Sequence, residues 1–218
     1  VFPFGHFVRS GTATMKYEVK DGQRIGGLAA MVHGDYSLEG GPKRRDNFAK
    51  PPANDDSFRG VYGERPLIPQ EELETLKGRR FAIINLWRSL APSGVPLVDM
   101  PLSFCDAPTA PGTDYGTVEF RYIDRMIETY VGFYSPGQRW YYFSEMQRDE
   151  GVLLKTFDSQ GEFARDTLTA EGELYPYFLR DQPAVPATST LHSAVRDPRV
   201  GADAPIRQSV EVRCMVFY

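Results

Sequence analysis

The chain has 218 residues, enough for one large domain with a real core or for two small domains. Its hydrophobic content of 41% and charged content of 25% are typical of globular proteins, and its net charge of −4 gives no reason to expect nucleic acid or an anionic membrane as a partner. No apolar run is long enough to span a bilayer, and no secretory leader is visible. Cys105 and Cys214 are too few for a disulfide framework, so we expect a reducing, cytoplasmic location.

Short strands and turns are predicted in the first part of the chain. Residues 1–9 are predicted to form a strand with Phe2, Phe4, His6 and Val8 on one face. A polar loop or hairpin follows over 11–27, and a second strand covers 28–35. We expect the glycines and Pro42 of residues 40–45 to break regular structure, with solvated basic side chains at 43–45. The Pro- and Gly-rich residues 46–69 are expected to form a mobile segment or lid.

A short helix and further strands are predicted from residue 69 onward. Acidic residues early, Lys77 late and Gly78 at the end indicate a helix over 69–78. The apolar residues 80–90 predict a buried strand on which Asn85 and Trp87 share one face and Arg88 lies on the other. Further strands are predicted at 96–106, 117–122, 128–134, 138–143, 152–157 and 206–217.

The pattern of many short strands with one weak helix predicts an antiparallel barrel or sandwich. The successive strands from 117 to 143 are expected to pair with one another, and aromatic residues line them. The last strand alternates around Val210, Val212, Cys214 and Val216. The long irregular residues 158–190 are expected to form a lid or an insertion, because compact domains seldom keep such a loop without a use.

The motif with the clearest chemistry is Val32-His33-Gly34-Asp35. Alternate residues of a strand project to the same side, so His33 and Asp35 can aim at one point. A further histidine would complete two histidines and one carboxylate, an arrangement typical of non-haem iron(II) oxygenases. His192 lies just before the last strand, and Arg207 follows it at the start of that strand. The planar guanidinium suits a bidentate grip on a carboxylate.

The sequence resembles the family of AsaB-type hydroxylase/desaturases, gibberellin GA4 desaturase and CmcJ-like oxidoreductases. The resemblance extends over nearly the whole chain, in order and in rough spacing. It is carried by the segments around His33, Trp87, Phe104, Trp140, Gly151, His192 and Arg207. It implies a mainly β protein with a double-stranded β-helix (a jelly roll, cupin-like), a few short helices and long loops. Residues 1–218 would form a single oxygenase domain that lacks the usual N-terminal portion of the family.

The resemblance also implies an enzyme that uses Fe(II) and 2-oxoglutarate. It would carry out hydroxylation, desaturation or oxidative cyclisation of a small-molecule secondary metabolite with O2, and the oligomeric state, a homodimer included, stays open. The metal ligands implied are His33, Asp35 and His192. The co-substrate residues expected are Arg207, with Arg213 as its rival, and Arg88 and Asn85; the substrate-wall residues expected are Tyr36 and Trp140.

Two departures from the family pattern keep other functions open. Gln138 stands directly before Arg-Trp-Tyr-Tyr, where family members usually carry a histidine, and Tyr36-Ser37-Leu38 follows the HxD motif in place of Gln-Thr-Pro. If position 138 held the distal ligand, the site would lack it. The alternative is a non-redox cyclase or a binding protein on the same barrel. A metal-dependent hydrolase that uses the same ligands with zinc is a third hypothesis.

Overall fold

The structure is a computed structural model that describes residues 1–13, 18–20, 23–54, 56–166 and 187–218, and it is mainly β, as predicted. Its strands are β1 (Phe2–Ser10), β2 (Glu18–Lys20), β3 (Gln23–Gly26), β4 (Phe81–Ser89), β5 (Leu102–Cys105), β6 (Tyr115–Arg121), β7 (Met126–Gly132), β8 (Trp140–Tyr142), β9 (Val152–Asp158), β10 (His192–Ala194) and β11 (Gln208–Phe217). Its helices are α1 (Gly40–Asn47), α2 (Arg59–Tyr62), α3 (Gln70–Leu76) and α4 (Glu162–Asp166). In this part of the chain no helix is long and apolar enough to cross a membrane.

The largest sheet has six strands in the order β2-β3-β1-β11-β4-β9. Strand β11 lies at its centre and runs antiparallel to both β1 and β4. On β4, Phe81 and Ile83 belong to one buried apolar cluster and Trp87 to another, with the fully buried Asn85 between them. The inner face of the sheet therefore holds a polar region flanked by two apolar clusters, and Asn85 of that region contacts Asp35.

The inner face of β11 is its polar face. Ser209, Glu211 and Met215 are buried, whereas Val210, Val212, Cys214 and Val216 of the predicted alternation are half-buried on the opposite face. The prediction that these apolar residues share one face was correct, because side chains alternate along a strand, but that face is not the buried one. The polar set faces inward because Glu211 and Arg213 satisfy each other there: Arg213 Nε donates to Glu211 Oε1 at 2.6 Å.

Two smaller sheets have the orders β10-β5-β8 and β6-β7. His33 connects them through isolated bridges to Val131 of β7 and to His192 of β10. The strand predicted over 28–35 is thus reduced to bridges at His33. The expectation that residues 117–143 form one run of successive antiparallel strands was wrong at its last step, because β8 pairs with β5 rather than with β7.

Residues 40–54 and 56–69 pack into the core, which corrects three expectations. Gly40 and Gly41 begin helix α1 instead of breaking structure; a Cβ at Gly41 would lie 2.6 Å from the Phe157 ring, so the glycines permit close packing. Phe48 and Ile68 are fully buried, so this segment is part of the core and not a lid. Arg44 is also not a solvated side chain, since it forms an ion pair with the buried Asp56 and lies over the Phe4 and Phe48 rings.

Strand β1 has a register shift between Pro3 and Gly5. The shift interrupts the alternation, as a β-bulge does. The prediction that His6 shares a face with Phe4 was therefore wrong, because His6 is exposed. Phe7 and Arg9 turn toward the interior cavity. Residues 167–186, which make up most of the lid or insertion expected over 158–190, lie outside the described residues.

Candidate metal centre

His33 and His192 are direct neighbours across an antiparallel bridge. His33 N–H donates to His192 O at 3.1 Å, and His192 N–H donates to His33 O at 2.9 Å. Residues that exchange both backbone hydrogen bonds project their side chains to the same face. The two ring centroids are accordingly 4.3 Å apart, although 159 residues of sequence separate the histidines.

Both imidazoles have the same tautomer. His33 Nδ1 lies 2.8 Å from Met31 O, and His192 Nδ1 lies 2.8 Å from Thr190 O. A carbonyl oxygen can only accept, so each Nδ1 carries a proton, and in a neutral imidazole Nε2 is then the nitrogen with the lone pair. This is the arrangement by which proteins orient histidine ligands toward a metal.

Asp35 brings its carboxylate to the two free Nε2 atoms. Its Oδ1 lies 3.6 Å from His33 Nε2, and its Oδ2 lies 3.9 Å from His192 Nε2. Asp35 has a φ of 61°, and Tyr36 N–H donates to Gly34 O at 2.7 Å, which closes a γ-turn around it. The carboxylate thus reaches the histidines from a left-handed turn and not by simple strand alternation.

Asn85 and Arg213 hold the carboxylate from behind. Asn85 Nδ2 donates to Asp35 Oδ2 at 2.8 Å, and Arg213 Nη2 donates to Asp35 Oδ1 at 3.1 Å. Burial by itself would raise the pKa of Asp35, but the positive charge of Arg213, the two histidines and the Asn85 hydrogen bond together hold that pKa well below its ordinary range. Asp35 is therefore an anion at neutral pH.

The donor set fits a divalent transition metal. One ligand atom from each of His33, Asp35 and His192 lies within 4.8 Å of the others. Burial, with repulsion from His33, lowers the pKa of His192 to about 4, so its imidazole is neutral and can coordinate. Two imidazoles and one carboxylate on one side of a metal leave positions open for other ligands, which suits iron(II).

A cavity of about 470 Å³ lies beside this centre. His33, Asp35, Tyr36, Arg213 and Phe7 contribute to its wall, and further along it is lined by both charged and apolar side chains. Tyr36 thus lies where a substrate-wall residue was expected. The volume is in the range of small-molecule sites.

The remaining predicted residues lie in different places. Arg207 is 3% exposed on the same face of the sheet as Arg213; its Nη1 donates to Met100 O at 2.6 Å and its guanidinium lies over the Trp87 ring. Arg88 is not brought to the centre, because it follows Trp87 on β4 and points to the opposite face, where it lines a separate cavity with Gln147 and others.

Gln138 and Trp140 pack together outside the cavity wall. Gln138 Nε2 donates to Asp114 Oδ2 and to Phe133 O, both at 2.8 Å, and Gln138 Oε1 accepts from Trp140 Nε1 at 3.2 Å. Trp140 packs against the cluster of Cys105, Ala110 and Leu191. Position 138 therefore serves as a structural clamp, and the side chain that stands beside His33 and Asp35 is His192.

A family model described as Oxidoreductase/YMDC permease-like domain matches residues 1–171. The chain belongs to this family. Hydroxylase/desaturase asaB from Aspergillus flavus is 34% identical over 160 residues, which are 67% of this chain and 60% of that protein. Fe(II)/2-oxoglutarate-dependent dioxygenase nvfI from Aspergillus novofumigatus is 30% identical over 149 residues, which are 67% of this chain and 44% of that protein. These relatives confirm the resemblance seen in the sequence.

A solved structure supports the fold of this family member. The iron and alpha-ketoglutarate-dependent endoperoxidase NvfI has a TM-score of 0.65 at 24% identity, covering 99% of this chain and 61% of that chain. A likeness over nearly the whole described chain indicates a shared cupin-like fold. The chain spans only about half the length of the curated relatives that it matches.

The contact of Arg213 with Asp35 was not predicted from the sequence. The signal was present in β11 and the residue before it, where polar side chains recur at every second position: Arg207, Ser209, Glu211 and Arg213. A strand whose polar residues share one face with two arginines indicates either a solvated face or a buried polar site. In the structure Arg207 is 3% exposed and Glu211 is 7% exposed, so this face is a buried polar site.

Proposed function

We propose that this chain is an iron(II)- and 2-oxoglutarate-dependent oxygenase that oxidises a small organic molecule, built on a single double-stranded β-helix domain over residues 1–218. The observation that carries the proposal is the convergence of two Nε2 lone pairs and one carboxylate at the wall of a 470 Å³ cavity. The names of the relatives, hydroxylase/desaturase and dioxygenase, support the reaction class.

In this proposal His33, Asp35 and His192 hold the metal, and each has a residue that orients it. The carbonyls of Met31 and Thr190 fix the two imidazoles, while Asn85 and Arg213 fix the carboxylate. Bound iron(II) with a 2-oxo acid supplies the oxidative decarboxylation that turns O2 into an oxidant of C–H bonds, with succinate and CO2 as co-products. The protein holds the ligands on one side and places the substrate in the cavity.

Arg207 is the proposed partner of the far carboxylate of 2-oxoglutarate. It is buried and forms no ion pair with the described residues, and its hydrogen bonds go to Met100 O and Ser209 Oγ. Glu211 and Asp99 lie close enough to raise the pKa of Arg207 but form no ion pair with it, so an anionic ligand would further stabilise this buried guanidinium. Tyr36 is the proposed contact to the substrate at the metal end of the cavity.

The reaction outcome proposed is hydroxylation, desaturation or oxidative cyclisation, and the substrate is a secondary metabolite. A cytoplasmic location belongs to the same proposal, since Cys105 and Cys214 are free thiols. The presence of Gln138 does not favour the alternative of a binding protein or non-redox cyclase. Its side chain is hydrogen-bonded to Asp114 and Trp140 and is not a substitute for a metal ligand.

The test is succinate release from 2-oxoglutarate, measured with iron(II) and O2. We expect release by the wild-type protein, loss of release in His33→Ala, and an increase of about 100-fold in the 2-oxoglutarate KM of Arg207→Met, because a buried charge pair is worth several kcal/mol. Arg121→Met, which changes an arginine with an 81% exposed side chain, is the control for net charge. Full turnover in His33→Ala would overturn the proposal, and zinc-dependent hydrolysis without O2 would replace it.

A further inference from the structure

The hairpin formed by β6 and β7 is attached to the candidate metal centre at its base. His33 pairs with Val131 of β7 through an isolated bridge, and Gly132 N–H donates to Val32 O at 3.0 Å beside it. Met31 reaches the same histidine from the other direction along the chain, since its carbonyl oxygen lies 2.8 Å from His33 Nδ1. The hairpin and the segment that ends at Met31 therefore both start at a residue proposed to hold the metal.

One face of this hairpin lines the cavity beside the centre. Phe120 of β6 is directly opposite Ile127 of β7, so their side chains lie on the same face, and Thr129 lies on that face two residues nearer to Val131. Phe120, Ile127 and Thr129 all line the cavity that contains His33. Four residues of strand separate Val131 from Ile127, which is about 13 Å. The cavity wall thus leads away from the metal centre over the length of a small polycyclic molecule.

The outer part of this wall is apolar and open to solvent. Met31 is 54% exposed, Phe120 is 39% exposed and Met126 is 52% exposed, and all three line the cavity. Side chains that line a cavity and are also exposed lie where the cavity meets the solvent. Residues 28–30, Leu-Ala-Ala, continue the apolar lining behind Met31. Exposed apolar surface that is continuous with a cavity is typical of a ligand-binding groove.

The cations nearest to this apolar wall are directed to carboxylates of the protein. Lys43 forms an ion pair with Glu39, and Arg44 forms one with Asp56. Arg125 of the hairpin lies 3.7 Å from the same Asp56 carboxylate. A ligand beside the hairpin is therefore held mainly by the apolar area that it covers, because the hydrophobic contribution to binding grows with that area.

We propose that Met31, Phe120, Met126 and Ile127 form a groove that binds the ring system of a lipophilic substrate, with the carbon to be oxidised at the metal end. The inference rests on the proposed function and names its substrate class, a neutral molecule with an apolar ring system. The Phe120 ring supplies a flat face for stacking, and the flexible methionine side chains adapt to the outline of the ligand. Sugars and other strongly polar molecules are disfavoured, because the groove offers them few hydrogen bonds.

The experiment measures binding of a neutral aromatic probe, 2-naphthalenemethanol, by proton NMR relaxation. The protein is loaded with Mn(II) and saturated with 2-oxoglutarate, and protein loaded with Zn(II) is the diamagnetic reference. A probe bound in the groove lies near the manganese, so its protons relax faster than they do with the zinc protein. We expect this Mn(II)-dependent relaxation for 2-naphthalenemethanol and none for the polar molecule myo-inositol.

Four variants test the groove residues. Met31→Ser and Phe120→Ser should each weaken probe binding about tenfold, because each removes apolar surface that the probe covers. Phe120→Leu should keep most of the affinity. Ile123→Ser is the matched control, since Ile123 is fully exposed on the same hairpin and does not line the cavity. Mn(II) affinity should equal that of the wild type in all four variants.

Three results would overturn the inference and leave the proposed function standing. They are a Mn(II)-loaded wild type that binds no probe or binds it without Mn(II)-dependent relaxation, binding of myo-inositol as tight as that of the probe, and a loss in Ile123→Ser equal to that in Phe120→Ser. A wild-type protein that does not bind Mn(II) would remove the proposed function itself, and this inference with it.

Discussion

Arg213 Nη2 lies 3.1 Å from Asp35 Oδ1, and the same guanidinium donates through Nε to Glu211 Oε1 at 2.6 Å. One buried cation therefore stabilises two carboxylates, of which one belongs to the candidate metal centre. The guanidinium also lies over the Phe7 ring at 4.8 Å, so its position is determined from several sides. The guanidinium of Arg213 thus lies on one side of the Asp35 carboxylate, and the candidate metal site lies on the other.

Removing Arg213 should make the stability of the protein depend on a divalent metal. Arg213→Met leaves Asp35 and Glu211 buried without their cation, which we expect to lower the free energy of unfolding by about 3 kcal/mol. A bound cation would compensate part of this loss, so Mn(II) should raise the melting temperature of Arg213→Met by more than it raises that of the wild type. Equal metal-induced shifts in the two proteins would contradict this. Arg121→Met is the matched control.

Asn85 should matter more for the metal than for the fold. Its Nδ2 orients Asp35, whereas its Oδ1 is buried without a hydrogen-bond partner. Asn85→Ala removes an orienting bond and an unsatisfied oxygen together, so the free energy of unfolding should change by only about 1 kcal/mol. Metal affinity should fall about tenfold, as is usual when a residue that supports a ligand is lost. The measurement is Mn(II) titration, with the exposed Asn54→Ala as control; undiminished affinity in Asn85→Ala would exclude the orienting role.

Gln138 should be needed for stability and not for metal binding. Gln138→Leu leaves the buried Asp114 without its amide donor and should lower the free energy of unfolding by about 2 kcal/mol. The Mn(II) dissociation constant should match that of the wild type. A large loss of metal affinity in this variant would revive the possibility that position 138 belongs to the centre.

The buried carboxylate of Asp158 should make the free energy of unfolding decrease at acidic pH. Burial raises the pKa of Asp158, but hydrogen bonds from Arg80 and from Gln160 N–H outweigh it and hold the pKa below its ordinary value. A pKa lowered by folding gives stability that is present above the unfolded pKa, about 4, and is lost as the pH falls through the folded value. Denaturant unfolding between pH 5 and pH 3 should therefore show a steeper loss for the wild type than for Asp158→Asn. Parallel slopes would exclude Asp158 as a source of acid lability.

The elements with a strong local pattern were predictable. Strand β4 and helix α3 lie close to where apolar content and end signals placed them. Helix α1 was not predicted because glycine and proline usually interrupt a helix, whereas here Gly41 permits the close contact with the Phe157 ring. Close approach between distant segments has no local signature, so a single sequence cannot reveal it.

The grouping of His33, Asp35 and His192 was expected from the motif and the family resemblance, and the structure brings these three side chains together. Their support was not predictable. The turn at Asp35 is joined to β7 by the hydrogen bond from Gly34 N–H to Tyr130 O, and the Arg213 contact joins residues 178 positions apart. Both features arise from contacts between distant segments. Arg88 was expected to contact the co-substrate, but it points to the opposite face of β4 from Asn85 and Trp87.

The most direct test of the central claim is the visible charge-transfer absorption that forms when iron(II) and 2-oxoglutarate are added anaerobically. We predict a band for the wild type and for Gln138→Leu, and none for His192→Ala, with His6→Ala as the control for an exposed histidine. Circular dichroism would verify that each variant is folded. A wild-type protein without the band, or a folded His192→Ala that retains it, would contradict the assignment of the metal centre.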